Sequence, residues 1–506
     1  MIIKQLKKFK HTKLWATTLN VILGLIVINL IVQFFPISLD LSANKIHSLS
    51  SATRNVLNQT DDLVTIKAYI SNNLPPQLLP LQQTVISTLN EYDQHGGTKV
   101  KVIIKDPQKS SEAESEVQSL GIPPMQFSSV KSDQYQIVKG YFGLGVFYAG
   151  KQEIIPALQN INNLEYRLTA AINNLTKDKL PQIGITSGSG EIELAQLPAL
   201  RQALSVNYNL QPIDLTSEEV DLSNFQTLLV IGPKDEVSED IQKKFDSYLM
   251  SGKGLIFLID KINVSQNLFG EKISLNIDDW LKHYGLEVED KLVVDASSAI
   301  ANFQTQQGRF ITPYPFWVKT RTENANKEIP VTASLEEVIF PWASPVKLSK
   351  GAEFLWKTTK SAKSTDQINN LGPQQTWNFQ NNTSQLVLAG VQKNDLASYF
   401  DESKSSPVKL AVVGDADFIS NQNAATSPEN INFILNLVDY LSQDNNLIDI
   451  RSKQIASRPL RTIGENQKQT YKYASLAAGP ILLILLAGFV RWQRRKFNLN
   501  WKFENV

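Results

Sequence analysis

The chain has 506 residues, with 50 basic side chains against 49 acidic ones and no cysteine. The missing cysteines exclude disulfides, thiolate nucleophiles, cysteine-held iron–sulfur clusters and cysteine-ligated zinc; a net charge of +1, with no basic patch interleaved with aromatics, argues against a nucleic-acid partner. The length suits two or three domains, and 42% hydrophobic against 20% charged residues predicts a packed body between whatever tails it carries.

Residues 1–13 form a basic tail with Lys4, Lys7, Lys8, Lys10 and Lys13 and no acid. Residues 14–35 carry no charge and reach the roughly 20 residues that a helix needs to cross a hydrocarbon core, so they are predicted to span a bilayer. The lysines ahead of the span hold the tail in the cytoplasm and send the body outside. A cleaved signal peptide is the rival reading, but its apolar core is shorter as a rule, and no A-x-A site lies close behind. The uncharged stretch 474–490 predicts a second span over 473–492, after a linker at 451–472 and before a basic cytoplasmic tail at 493–506. The protein then belongs to a bacterial inner (plasma) membrane, crossing it twice, with both termini cytoplasmic and the body periplasmic. A body free of disulfides is compatible with that compartment.

The first body domain, 36–179, alternates strands with helices. A strand at 64–70 precedes a helix at 80–93 with Leu81, Val85, Leu89 and Tyr92 at helical spacing. Next come a strand at 99–105, an acidic helix at 111–120 stopped by Gly121, a Pro123–Pro124 pair, a hairpin over 141–158 and a helix at 163–175. This order resembles the thioredoxin-like fold, whose proline before the third strand is often cis. With no cysteine pair, the resemblance implies a scaffold or binding version. An irregular α+β domain is the other reading.

The second domain, 180–450, opens with a strand at 182–186, a Ser187-Gly188-Ser189-Gly190-Glu191 turn and a helix at 197–204. A strand at 225–232 leads to a helix at 238–250, with Ser238 as its N-cap. The run 254–260 is almost wholly apolar, as a buried parallel strand is. A helix at 277–283 stopped by Gly285 and a strand at 291–295 come next, then strands at 385–389 and 408–413 and a closing helix at 430–441. Strands separated by helices predict a doubly wound, Rossmann-like sheet. Between 296 and 384 the pattern breaks into long loops or an inserted β element.

In such a sheet, ligands bind beyond the carboxyl ends of the strands. The candidate ligand-binding residues are therefore Gly188, Ser189, Gly190 and Glu191, on a turn whose backbone N–H groups can cradle an anion, together with Asp260, Asp415 and Asp417. These carboxylates, with Asp295 at a third strand end, could hold a cation or sugar hydroxyls. Each group has a plainer reading. The turn lacks the third glycine of a dinucleotide fingerprint and carries a glutamate that repels phosphate, and aspartate caps turns wherever strands end. His11, His47, His95 and His283 share no metal-ligand spacing, and no G-x-S-x-G, Walker A or H-E-x-x-H motif occurs. The expectation is no catalytic residue, no metal and no cofactor.

Residues 181–191 (PQIGITSGSGE), 228–233 (LLVIGP), 248–260, 280–295 (WLKHYGLEVEDKLVVD), 412–420 (VVGDADFIS), 430–441 and 447–453 (LIDIRSK), in that order, resemble the membrane-anchored auxiliary proteins of ABC transport systems, typified by the gliding-motility protein GldG. Ser189 stands where that family has His, and Lys253 where a second glycine is common. The resemblance implies a non-catalytic auxiliary subunit whose partners are an ABC permease and its ATPase, set beside the lipid bilayer, with an envelope polysaccharide or protein as cargo. The alternative is an extracytoplasmic carbohydrate- or envelope-modifying enzyme built on Asp415 and Asp417, or a ligand-binding receptor.

Overall fold

Ser50 caps α1 (Ser51–Asn58), its side chain accepting a hydrogen bond from the Thr53 amide. The chain continues through β1 (Val64–Ile70), α2 (Leu79–Gly96), β2 (Val100–Lys105), α3 (Ser111–Ser119), β3 (Met125–Lys131), β4 (Gln134–Gly140), β5 (Phe142–Tyr148), β6 (Lys151–Ile155) and α4 (Leu164–Thr176). This computed structural model describes residues 23–24, 48–131, 134–158, 164–177, 179–305, 308–333, 335–442 and 465–503. It divides into two units, Met1–Gln454 and Ile455–Val506.

β1 runs parallel to β2 and antiparallel to β5, which pairs with β6, so the four-stranded sheet has the order β2-β1-β5-β6. Val64, Ile66 and Ala68 point to one face of β1, where they share a core with Val85 and Leu89 of α2 and with Leu168 and Ile172 of α4. Glu165 ties α4 to α1 by accepting from the Ser50 amide and the Thr53 hydroxyl, both at 2.7 Å. Two features depart from expectation. β3 and β4 form a hairpin of their own between α3 and β5. Peptide bonds among the described residues are all trans, so neither Pro123 nor Pro124 is the expected cis proline; the prolines lead into the extra hairpin and not directly into β5.

The second region comprises β7 (Gln182–Ser187), α5 (Pro198–Leu204), β8 (Asn209–Asp214), β9 (Phe225–Ile231), α6 (Glu239–Met250), β10 (Gly254–Leu258) and α7 (Asp278–His283). It continues with β11 (Leu292–Asp295), β12 (Ser298–Thr305), β13 (Gly308–Arg321), β14 (Glu337–Pro341), β15 (Glu353–Lys357), β16 (Ala362–Thr365), β17 (Val387–Gln392), β18 (Lys409–Val413) and α8 (Glu429–Leu441). Seven of these strands form one sheet in the order β15-β17-β18-β10-β9-β7-β8. Neighbours from β8 to β18 are parallel, while β17 and β15 add antiparallel strands at one edge.

Side-chain alternation sets the layers of this mixed α/β body. Leu229, Ile231, Ile256 and Leu258 pack with Leu200 and Leu204 of α5 and with Ile434 and Leu437 of α8. Leu228, Val230, Leu255 and Phe257 point the other way, into a core with Ile241, Phe245 and Leu249 of α6 and Trp280 of α7. Helices on both faces explain why β9 and β10 read as nearly unbroken apolar runs. The stretch expected as loops or an inserted β element is in large part the latter: β12, β13 and β14 make a separate antiparallel sheet. β11 pairs with β16 and stays outside the seven-stranded sheet.

The second unit contains α9 (Glu465–Phe503), 39 residues with Pro480 inside it, or about 58 Å at the helical rise. Leu476, Ile481, Ile484, Leu485 and Phe489 on this helix are exposed. Among the described residues no helix is long and apolar enough to cross a membrane. Of the expected span 14–35, only Leu23 and Gly24 are described. The expected span 473–492 falls within α9, several of whose side chains lie outside the described residues, as do 447–453 and most of the linker 451–472.

Candidate functional site

Neighbouring strands of the parallel sheet end together at one edge, and backbone bonds fix how they leave it. The Ile192 amide donates to Ile231 O at 2.8 Å, the Gly232 amide to Leu258 O at 2.8 Å, and the Ile259 amide to Val413 O at 2.9 Å. The loops after β7, β9, β10 and β18 are thereby held against one another. Gly188 and Gly190 of the turn after β7 have φ of 129° and 72°, values that residues with a Cβ rarely adopt. A Cβ on Gly190 would also lie 2.7 Å from the Asp235 carboxylate, on the loop after β9.

The glycine turn accommodates an anion that the chain itself supplies. Glu191 folds back so that its Oε2 accepts the Ser189 amide at 2.6 Å and its Oε1 accepts the Thr186 hydroxyl at 3.2 Å. The Ser189 carbonyl accepts the Lys234 and Asp235 amides, each at 2.9 Å, while the Ser189 hydroxyl is buried without a partner. On its outer side, Gly188 lines a groove of about 1000 Å³ together with Thr216, Ile241, Lys244 and Tyr248. Glu191 therefore acts on the turn less by repelling a phosphate than by occupying its amide.

Asp260, Asp415 and Asp417 come together: one oxygen from each lies within 4.8 Å of the other two. Asp260 lies just past β10, and its Oδ1 accepts the Ala416 amide at 2.6 Å. Asp415 and Asp417 lie just past β18. Asp415 is wholly buried; its Oδ1 accepts the Phe418 amide at 3.2 Å, and its Oδ2 is buried with no partner. Burial and the Asp417 charge push the Asp260 pKa up to about 7. Burial and both neighbouring carboxylates push Asp415 well up, and burial raises Asp417 against the opposing pull of Lys234. The next lysine along, Lys261, is committed elsewhere, to Asp278 at 2.7 Å and Asp290 at 3.3 Å. Three crowded carboxylates can share a proton or surround an oxygen-preferring cation.

Asp295 does not join them. It ends β11, in a different ladder, and its carboxylate accepts the Ser297 amide at 2.9 Å, the Thr359 amide at 2.7 Å and the Thr359 hydroxyl. This is the plain turn-capping role. Two residues that matter lie outside the sequence candidates. Lys234 is the basic group that acts on the carboxylates, and its sequence signal is a lysine directly after the strand-end Pro233. Asp246, buried on α6, accepts Trp280 Nε1 at 3.2 Å, the Tyr399 amide at 3.1 Å and the hydroxyls of Tyr284 and Ser398.

Residues 180–437 match the family described as an ABC-type uncharacterized transport system, and residues 43–146 match a domain of unknown function. An uncharacterised protein of Borreliella burgdorferi is 24% identical over 512 residues, covering 97% of this chain and 99% of its own length. Among solved structures, the mmIFT52 N-terminal domain aligns at 15% identity over 51% of this chain and 97% of that one, with a TM-score of 0.37. PurLQS from Thermotoga maritima aligns at 10% identity over 52% of this chain and 100% of that one, with a TM-score of 0.28. The family match takes in just over half of the chain and every strand of the seven-stranded sheet, together with the glycine turn and the three carboxylates. The chain therefore belongs to the family of the ABC-type uncharacterized transport system.

Proposed function

We propose that the chain is a non-catalytic auxiliary subunit of an ABC-type transport complex, held in a bacterial inner membrane at both ends. The observation that carries this reading is the family match over the whole of the seven-stranded sheet. Residues 14–35 and 473–492 are the anchors, 1–13 and 493–506 are cytoplasmic, and 36–179 and 180–450 form two α/β domains on the outer side, joined to the second anchor by 451–472. Five lysines ahead of an uncharged run support that orientation. The exposed Leu476, Ile481, Ile484, Leu485 and Phe489 of α9 are side chains that lipid accommodates.

The order β2-β1-β5-β6, with parallel β1 and β2 and an antiparallel β5–β6 hairpin, supports a thioredoxin-like reading of the first domain, without its redox pair. The parallel strands of the second run in the order 2-1-3-4-5, which supports a doubly wound, Rossmann-like sheet in the wide sense. It is not the 3-2-1-4-5-6 order of dinucleotide-binding sheets, so no dinucleotide belongs to the proposal. Gly188, Ser189, Gly190, Glu191, Asp260, Asp415 and Asp417 are the residues at which the body engages a ligand or cargo. The permease and ATPase of a GldG-like system are the partners, and the ATPase supplies the energy.

The test is purification of the full chain from native membranes in mild detergent. An ABC permease and ATPase are expected to co-purify in fixed proportion. Their repeated absence, while control complexes in the same extract stay intact, sinks the proposal.

A further inference from the structure

We propose that Asp260, Asp415 and Asp417 bind a hard divalent cation, Ca²⁺ or Mg²⁺. The inference stands independently of the transport reading. Its first support is spacing. Oxygens bound to one Ca²⁺ at 2.3–2.6 Å sit roughly 2.7–5 Å from each other, depending on whether they are adjacent or opposite. The three carboxylates offer one oxygen each within 4.8 Å of the others.

The second support is an orphaned atom. A buried carboxylate oxygen that accepts nothing is costly unless a proton or a cation meets it. Asp415 is fully buried, its Oδ1 is engaged by the Phe418 amide, and its Oδ2 has no partner. Ser344, whose amide donates to the Gly414 carbonyl at 2.7 Å, also leaves a buried hydroxyl without a partner beside this segment.

Charge points the same way. Lys261 is neutralised by Asp278 and Asp290; Lys234 is exposed, and one lysine does not balance three carboxylates. The donor set is all oxygen, with neither histidine nor sulfur, which suits Ca²⁺, Mg²⁺ or Mn²⁺ and disfavours softer metals. The frame is already held, since Asp260 is tied to the Ala416 amide across the two strand ends. Three carboxylates leave coordination positions for water or for an oxygen of a bound ligand.

The experiment is direct cation binding to the full-length protein in detergent, stripped with EDTA and titrated separately with Ca²⁺, Mg²⁺ and Mn²⁺. Calorimetry reads all three, and electron paramagnetic resonance reads free Mn²⁺. The expected result is one saturable site per chain, with half-saturation at about 10⁻³ M or below, and a melting temperature that rises with occupancy. Asp417→Asn, at a half-buried position, is expected to weaken binding tenfold or more and to remove the cation-dependent rise in melting temperature. Asp260→Asn is the second variant should Asp417→Asn not fold. No saturable binding by the wild-type chain for any of the three ions overturns the proposal, and so does wild-type affinity in a folded Asp417→Asn or Asp260→Asn variant. Whichever ion binds more tightly decides between Ca²⁺ and Mg²⁺.

Discussion

Replacing Asp246 with alanine strips a buried hub of four hydrogen bonds. The side chain is 3% exposed and receives Trp280 Nε1, the Tyr284 and Ser398 hydroxyls and the Tyr399 amide. The Tyr399 amide keeps a second acceptor in Tyr284 Oη at 3.1 Å, so three donors lose their acceptor. Each buried group left unpaired costs about 1–3 kcal/mol. With water entering part of the vacated space, the expected net loss is about 3–5 kcal/mol. Tyr284→Phe removes one donor and leaves the carboxylate three, so its cost is expected to be about 1–2 kcal/mol. The two losses should not add in the double variant, because both remove the same bond. The assay is urea unfolding of the full chain, monitored by tryptophan fluorescence and far-ultraviolet circular dichroism, with the denaturant slope checked for constancy. A loss below about 1 kcal/mol for Asp246→Ala, or strict additivity with Tyr284→Phe, refutes the reasoning.

Against the upward push of burial, Lys105 and Lys67, each 2.6 Å from the carboxylate, hold Glu116 down at about 2. Its unfolded value is about 4.3, so its contribution is complete above about pH 4.5 and is lost as the pH falls toward 2. Glu116→Gln is expected to flatten the acid limb of stability, read as unfolding midpoints between pH 2 and 6; an unaltered limb counts against the ion pairs. Gly414→Ala places a Cβ 2.1 Å from the Ser344 carbonyl oxygen, and the shift this forces is expected to cost about 1–3 kcal/mol, visible as a lower melting temperature. Single cysteines at Ser111 and Ser364 are expected to react with an impermeant maleimide in intact spheroplasts, and one at Asn498 only after lysis. Labelling of Asn498 before lysis overturns the orientation.

Patterns that depend on neighbours a few residues apart were legible in the sequence. The apolar run of β10, the Ser238 cap on α6 and the spacing of α2 all correspond to observed elements. Patterns that depend on distant pairing were not. β8 contains Pro212, and Leu210 and Ile213 are its only residues not exposed, so nothing local marks it as the edge strand beside β7. The strand-end rule brought Asp260, Asp415 and Asp417 onto one edge and put Asp295 there for the same reason. The rule says where a strand stops; it does not say which ladder the strand joins, and β11 pairs with β16. A glutamate in a turn repels an anion, and for Glu191 that charge argument is sound. What local sequence could not reveal is that the carboxylate turns onto the Ser189 amide. Asp246 was invisible because its donors lie between 34 and 153 positions away.

The bond from the Ser189 amide to Glu191 sets a threshold for whatever reaches this turn. Even a short flexible tether gives its attached group an effective concentration in the millimolar range, and here the tether is a two-residue step of folded backbone. A free phosphate or carboxylate at lower concentration competes poorly with a rival that never diffuses away. An anion far below that range is therefore outcompeted at the turn. Only a partner that first draws Glu191 aside, with a cation or hydrogen-bond donors of its own, gains the amide, so this one donor is reached by displacement and not by dose.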